Sequence, residues 1–253
     1  MNKLVLIIFL NIYSLCFGMK DNLVIGLLEY PPYIKIDNTS YSGMAVEIIN
    51  ESFSRMNQKK SFVLYPIARS LNALEEGEID GFFSIKKTPE REKTLIFPKE
   101  YLFSQDYVFF INKDSFYKYD GSFNSIKNLK IGVVNAVSYG SIFDTAVKNK
   151  ILKNLDYANN FESSFKKLMT KRIDIMICSK MVGIEFIKEL GLENKVIISG
   201  PIVETTYSYI AFSNKKEYIN LADSFDKAIQ KMRKDGTLKR IQQKYLLKSF
   251  ENN

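Results

Sequence analysis

The chain has 253 residues, a formal net charge of +8 and 46% hydrophobic residues, and it contains neither His nor Trp. This composition is typical of a globular protein, and the length corresponds to one large or two modest domains. The missing histidine excludes Ser-His and Cys-His nucleophile pairs and His-ligated zinc. A hydrolase triad is therefore excluded, and neither a cofactor nor a metal ion is expected.

The first 18 residues have the features of a cleaved signal peptide. Lys3 precedes an apolar run over residues 4–10, and Cys16-Phe17-Gly18 fits a signal-peptidase site after Gly18. Asn11 interrupts the run well short of the ~20 apolar residues that a spanning helix needs. Leu15 is too bulky for a lipoprotein motif at Cys16. We expect export to a periplasm without a lipid anchor.

The positive charge is distributed along the chain in lysine pairs such as Lys59-Lys60 and Lys166-Lys167. No block stands out, so a solvated surface is favoured and no nucleic-acid partner is expected. Cys178 would be the only cysteine left after cleavage. Because it ends the apolar stretch 173–177, which is typical of a buried strand, we expect this thiol to pack in the core.

Strands and helices alternate along the rest of the chain in two similar series. The periodicity predicts strands over 23–28, 62–65, 80–85, 107–112, 130–134, 173–178, 196–199 and 207–212. It predicts helices over 43–56, 68–75 (ended by Gly77), 139–149, 163–171, 181–190, 218–233 and 238–245. Such alternation predicts parallel sheets covered by helices, and two series predict two α/β lobes.

Three groups of residues occur in a distinctive order and spacing. They are Gly26-Leu27-Leu28-Glu29-Tyr30-Pro31-Pro32-Tyr33; then Gly77-Glu78-Ile79-Asp80-Gly81 followed by Thr88-Pro89-Glu90-Arg91 and Phe97-Pro98-Lys99-Glu100-Tyr101; and finally Lys234-Asp235-Gly236-Thr237-Leu238 with Lys244-Tyr245. Together they resemble the bacterial extracellular solute-binding proteins of family 3, the polar amino-acid binders of ABC importers. The resemblance covers essentially all of the chain after residue 18.

The resemblance implies a two-lobed periplasmic-binding-protein fold of type II, an α/β fold in which each lobe is a mainly parallel sheet flanked by helices. Lobe one would comprise residues 19–112 and 205–253, and lobe two residues 113–204, with a hinge near Lys113 and Glu204. The protein would be a monomer that closes its lobes on a small amino acid or related carboxylate. An inner-membrane ABC permease would recognise the closed form.

The resemblance also implies a set of ligand-binding residues in the first lobe. Arg91 would bind a carboxylate, because an Arg fork near a helix start suits a planar anion. The same Thr88-Pro89 start is also a good helix cap, which would leave Arg91 facing solvent. The other candidates are Tyr30 and Tyr33, which core packing explains equally well, and Arg69, Ser84 and Lys86. Lys86 departs from the family, where a small hydroxyl residue is usual.

In the second lobe the resemblance implies contacts from Asn135, Ser138 and Tyr139, in a loop whose N–H groups can bind an anion or can serve only as a connection. The family's Asp partner for a ligand ammonium corresponds here to Ser179. An unpaired buried ammonium costs several kcal/mol, so an ordinary α-amino acid is not a safe assignment. Glu29 remains as a carboxylate able to bind an amine, while Lys86, Arg69 and Arg91 suit a more anionic ligand.

Two other functions fit the same fold. The first is a periplasmic lyase similar to the cyclohexadienyl dehydratases, which would need a buried acid facing Arg91. Glu29, Glu185 and Glu204 are the candidates for that acid, and none belongs to a recognisable motif. The second is a ligand-sensing protein without a transporter. We favour a binding protein without enzymatic activity. The sequence does not determine which ligand is bound, which permease is the partner, whether the protein serves transport or sensing, or the Gram type of the bacterium.

Overall fold

The computed structural model describes residues 20–38 and 40–251, so the predicted signal peptide lies outside the described residues. The strands are β1 (Asn22–Leu27), β2 (Lys35–Asp37), β3 (Ser40–Ser42), β4 (Lys59–Leu64), β5 (Gly81–Ile85), β6 (Leu95–Ile96), β7 (Phe103–Asn112), β8 (Ile131–Val134), β9 (Leu155–Ala158), β10 (Ile175–Ser179) and β11 (Val196–Ser213). The helices are α1 (Met44–Arg55), α2 (Ile67–Glu75), α3 (Ser141–Lys148), α4 (Phe161–Met169), α5 (Lys180–Glu189), α6 (Glu217–Lys234) and α7 (Thr237–Glu251). Within these ranges no helix combines the length and the apolar composition needed to cross a membrane.

Apart from β2 and β3, which pair in a separate antiparallel ribbon, the strands form one mixed sheet in the order β4-β1-β5-β11-β7-β10-β8-β9, and β6 pairs with the end of β11. At one side of this sheet β1 runs parallel to both β4 and β5. At the other side β8 runs parallel to both β9 and β10. The antiparallel strands β7 and β11 join the two parallel groups. The structure therefore has two α/β lobes, as the alternation of the sequence predicts.

β11 differs from its sequence prediction. The pattern predicts two strands, 196–199 and 207–212, because Gly200-Pro201 is typical of a break. The structure has one strand of 18 residues, with an irregularity in pairing between Ser199 and Glu204. β7 pairs with β11 on both sides of this irregularity, so the ladder continues past Gly200 and Pro201. The long strand carries the chain from the second lobe back to the first.

Most of the predicted helices and strands are confirmed, and their buried faces form the core. In α1 the apolar residues at helical spacing face α6, where the rings of Phe53 and Phe225 lie 6.3 Å apart edge to face. Cys178 is fully buried in β10, which confirms its predicted place in the core, and burial raises the pKa of its thiol. The short strands β2, β3, β6 and β9 were not predicted.

Asp80 is a buried carboxylate that ties the first lobe together. It accepts hydrogen bonds from the Val24 amide at 2.8 Å and the Tyr218 hydroxyl at 2.5 Å, and Lys20 forms an ion pair with it. The carboxylate therefore links the start of β5 to β1 and α6. Its partners replace the hydrogen bonds that water would supply, which is the condition for a charge to be buried at tolerable cost.

Candidate functional site

Loops from both lobes meet at the carboxyl ends of the parallel strands. β1 leads into the Tyr30–Tyr33 turn and β5 into the segment 84–91, while β8 leads into the loop 135–140 of the second lobe. Crevices outside the carboxyl ends of strands are the usual ligand sites of open α/β sheets. We therefore expect the predicted site residues to lie at this crevice.

Arg91 connects the two lobes through its side chain. Its guanidinium donates to the main-chain oxygen of Lys86 at 2.9 Å and to that of Ala136 at 3.0 Å. Thr88 does not start an α-helix; its hydroxyl accepts from the Arg91 amide at 3.3 Å, and only a 3-10 turn, Arg91–Lys93, follows. Burial lowers the pKa of the guanidinium. Two of five N–H groups make these bonds, which leaves three able to bind an anion.

Lys86 is 7% exposed, and its ammonium has no hydrogen-bond acceptor among the described residues. The ammonium lies 4.8 Å from the ring centroid of Tyr107. Burial lowers its pKa to about 7; nearby Arg91 acts in the same direction, while Glu204 and Asp144 oppose the shift. The buried ammonium of Lys86 therefore loses its proton near pH 7. The aromatic face that it contacts is the ring of Tyr107.

Buried, uncharged side chains form a chain of hydrogen bonds that includes Tyr30 and Tyr107. The Tyr30 hydroxyl donates to Gln105 Oε1 at 2.8 Å, and Gln105 Nε2 donates to the Ser208 hydroxyl at 2.7 Å. The hydroxyls of Tyr30 and Tyr107 lie 3.3 Å apart, so Tyr107 donates to Tyr30 when Tyr30 donates to Gln105. Burial raises the pKa of both phenols. They stay neutral and supply no anionic group.

The aromatic turn of the first lobe packs across to the second lobe. The Tyr30 ring lies 5.7 Å from that of Phe161, which begins α4. Tyr33 is buried to a similar degree, its ring stacks 4.2 Å from that of Phe103, and burial raises the pKa of its phenol. The core-packing interpretation therefore describes Tyr33, whereas Tyr30 is at the boundary between the lobes.

The loop 135–140 uses several of its polar groups internally. Asn135 Nδ2 donates to Asn159 Oδ1 at 3.3 Å, and the Tyr139 hydroxyl accepts from the Val134 amide at 2.5 Å. Asp144 accepts from the Ser138 hydroxyl at 2.5 Å and from the Tyr139 amide at 3.1 Å. Burial raises the pKa of Asp144. An anion cradle built from this loop would have only part of its N–H groups available.

These residues enclose a small space between the lobes, which we call the central cavity. Its volume is about 20 Å³, and its lining comprises Leu28, Tyr30, Ile67, Ser84, Ile85, Lys86, Arg91, Tyr107, Val137, Ser138 and Phe161. Ser84 has a left-handed backbone with φ of 65°, and its hydroxyl is buried without a partner among the described residues. Five predicted residues thus meet here: Tyr30, Ser84, Lys86, Arg91 and Ser138.

Two larger spaces flank the central cavity. One, of about 490 Å³, is lined by Glu29 and shares Phe161 with the central cavity. The other, of about 600 Å³, is lined by Asp144 and Glu204 and shares Lys86 with it. We call them the Glu29 pocket and the Asp144 pocket.

The remaining candidates do not line the central cavity. Arg69 is exposed on α2, and Ser179 is fully buried at the end of β10. Of the candidate acids, Glu185 pairs with Lys35, and Glu204 accepts from the Ser141 hydroxyl at 2.9 Å and the Ile142 amide at 2.8 Å. No carboxylate lines the central cavity among the residues that the structure describes.

Sequence reasoning missed several lining residues, chiefly Tyr107, Phe161, Val137, Leu28 and Ile67. Tyr107 begins the predicted strand 107–112, and Phe161 lies two residues before the predicted start of its helix. An apolar side chain in a core pattern gives no local sign that it faces a cavity. Only the pairing of distant strands places it there.

Comparison with known proteins agrees with this arrangement. The chain is 27% identical over 223 residues to the probable amino-acid-binding protein YxeM of Bacillus subtilis, covering 85% of this chain and 79% of that protein. The fold is similar to an ancestral arginine-binding protein bound to arginine, with a TM-score of 0.77 and 22% identity over 90% of this chain and 99% of that one. It is also similar to a histidine kinase sensor domain that resembles periplasmic binding proteins, with a TM-score of 0.79 and 19% identity over 89% and 96% of the two chains.

Apart from the first residue of β1 and the end of α7, the strands and helices of both lobes fall within a single family match. The family model for bacterial extracellular solute-binding proteins, family 3, matches residues 23–248, from β1 into α7. The match therefore includes the two lobes, the strands that join them and the whole lining of the central cavity. The chain belongs to the bacterial extracellular solute-binding proteins of family 3.

Proposed function

We propose that this chain is the exported binding component of an ABC importer and that it captures a small carboxylate solute, an amino acid or a related acid, between its lobes. The observation that carries the proposal is the position of Arg91. Its guanidinium bonds to both lobes and keeps three N–H groups for a ligand. A cation in a crevice between two lobes is suited to a carboxylate whose binding brings the lobes together.

The lobes would be divided within the long strands. The part of β7 from Tyr107 to Ile111 pairs with β10, which is a strand of the second lobe. We therefore place the first crossover between Asp106 and Tyr107, inside β7, rather than at Lys113. The second stays at Glu204, beside Thr205, whose hydroxyl donates to the Asp106 carboxylate at 2.6 Å. Lobe one would then comprise 19–106 and 205–253.

Closure of the lobes would be the functional step. The contacts that cross between them include Arg91 with the Ala136 oxygen, the Tyr30 ring with Phe161, and the ion pair of Lys35 with Glu185. A ligand that touches both sides stabilises the closed form by its differential affinity for the two states. A permease in the inner membrane would recognise that closed form, so no chemical step is required of the protein.

Binding to purified protein tests the proposal. A panel of amino acids and organic acids is screened by thermal shift, where a ligand at 100 times its Kd adds about 2.7 kcal/mol of stability. We expect a hit whose affinity falls about 100-fold in Arg91→Ala, because truncating one partner of a buried charged pair costs about 2–5 kcal/mol.

Arg69→Ala is the matched control, since it removes an exposed arginine outside the central cavity. Its affinity is expected to equal that of the wild type. A ligand that binds both variants equally, or no ligand from the panel at all, contradicts the proposed site. A ligand that is converted during incubation identifies an enzyme instead.

A sensing protein is the second candidate, and the similarity to a histidine kinase sensor domain favours it. Ligand binding by the central cavity would be the same in both cases. Reconstitution with a candidate permease separates them: ligand-dependent stimulation of its ATPase activity supports transport, and its absence supports sensing.

A further inference from the structure

The central cavity has an unusual balance of charge. Two cations, Lys86 and Arg91, line it, and no carboxylate does so among the residues that the structure describes. The nearest acids, Asp144 and Glu204, line the neighbouring pocket and are already bonded to main-chain and hydroxyl groups of the second lobe. The electrostatic potential in the space between the lobes is therefore positive, and the acidic side chains of Asp144 and Glu204 lie in the neighbouring pocket.

Lys86 is the feature that the proposed carboxylate site does not use. Its ammonium is 7% exposed, lines the central cavity and has no acceptor within the described ranges. The Tyr107 face, 4.8 Å away, offers a cation–π contact but no hydrogen bond. A buried cation is normally paired or coordinated. The missing acceptor points to a ligand that brings one.

The lining of the cavity offers no carboxylate to a positively charged ligand among the described residues. The phenols of Tyr30 and Tyr107 are neutral, and Tyr30 already donates to Gln105. Together with Phe161 they present aromatic ring surface to the cavity. A ring face can contact an ammonium, but Lys86 already lies over that of Tyr107, and a ligand ammonium placed here would also meet the charges of Lys86 and Arg91. The ring surface suits a short carbon skeleton.

We infer that the central cavity takes a small organic acid with two anionic groups and no ammonium, one group bound by Arg91 and the other by Lys86. This inference rests on the proposed function and names its substrate class. The central cavity has a volume of about 20 Å³, far below the about 300–1,000 Å³ of ordinary ligand pockets, so the lobes must separate to admit even a compact acid. Short dicarboxylates are the chemical class that fits.

Matched pairs of acids test the inference. Glutarate and glutamate share a skeleton and two carboxylates and differ by one ammonium, and so do succinate and aspartate. Titration calorimetry with purified protein at pH 7 is expected to show the diacid of at least one pair binding more tightly by at least about tenfold. Lys86→Met is expected to abolish that preference, whereas Lys93→Met, at an exposed lysine seven residues on, is expected to preserve it.

The outcomes separate this inference from the proposed function. Tighter binding of glutamate or another amino acid, lost in Arg91→Ala, overturns the inference and supports the proposed function. Diacid binding that Lys86→Met leaves unchanged also overturns it, because Lys86 would then hold no anionic group. If neither the diacids nor the amino acids bind in a way that depends on Arg91, the inference and the proposed function are both overturned.

Discussion

The guanidinium of Arg91 donates to the main-chain oxygen of Ala136, 45 residues further along the chain and in the other lobe. Ala136 has a left-handed backbone with φ of 61°, a conformation that is uncommon for a residue with a side chain. The loop after β8 thus turns its carbonyl toward the first lobe. One side chain therefore serves as a bond between the lobes and as the cation of the central cavity.

Arg91→Lys is expected to separate charge from geometry. Lysine keeps the positive charge but lacks the planar fork that reaches two acceptors at once. We expect ligand affinity to fall about tenfold or more, and the ligand-bound protein to be less compact than the wild type. Small-angle X-ray scattering with saturating ligand measures the compaction. Equal scattering and equal affinity would show that the bond to Ala136 does not hold the closed form.

Lys86→Met is expected to stabilise the protein in a pH-dependent way. The folded pKa of Lys86, about 7, lies below its unfolded value, so between pH 7 and about 10.5 the unfolded chain binds more protons and stability rises with pH. The groups facing this ammonium are Arg91, Glu204, Asp144 and the Tyr107 ring. At pH 6 the variant should gain about 1–3 kcal/mol by removing a buried unpaired cation.

Urea unfolding at pH 6 and pH 9.5 measures this difference, and the variant's advantage should shrink at the higher pH. Lys93→Met, at an exposed site, is the control and should show no such dependence. An advantage that is absent, or that grows with pH, would show that Lys86 is not a destabilising buried cation.

Asp80→Ala is expected to cost about 3 kcal/mol or more, because it leaves the polar partners of a buried carboxylate unpaired. Those partners are the Val24 amide and the Tyr218 hydroxyl. The free energy of unfolding is measured by chemical denaturation. Tyr218→Phe removes one of these bonds and should lose less. A neutral effect of Asp80→Ala would contradict its role in joining β1, β5 and α6.

Glu185→Gln is expected to weaken the closed form slightly. The ion pair of Lys35 and Glu185 joins the β2–β3 ribbon to α5 and is partly exposed, so it is worth about 0.2–1 kcal/mol. Ligand dissociation, measured by stopped flow, should be faster by up to about fivefold. The double variant with Lys35→Gln should add little, and Glu193→Gln, at an exposed residue after α5, should have no effect. An unchanged rate would show that the pair does not restrain opening.

The sequence predicts most of the secondary structure, and the family motifs have largely structural roles. Asp80 ties the first lobe, and the amides of Lys99 and Glu100 donate to Asp226 on α6. Asp235 accepts from the Thr237 amide at the start of α7. Only the Asp235–Thr237 contact is local; the others join residues more than 50 positions apart in the chain. They identify the architecture without defining what fills the crevice.

The candidate site was predictable only in part. Arg91 and Lys86 are marked by their spacing from the Thr88-Pro89 motif, and both line the central cavity. Arg69 was chosen for its place after a strand, but the phase of α2 turns it to solvent. Phe161 belongs to the other lobe and reaches Tyr30 only through the register of the sheet. Long-range register is the information that a single sequence does not display.

The pairing of β7 with β11 has a mechanical consequence. Because two hydrogen-bonded strands join the lobes, rather than two independent loops, the lobes cannot slide past each other without breaking ladder bonds. Twisting and bending of these two strands near the proposed crossovers, at Asp106 and Thr205, would keep the ladder intact. The path of opening would therefore be set by the stiffness of the two strands, and substitutions there can tune affinity without contacting any solute.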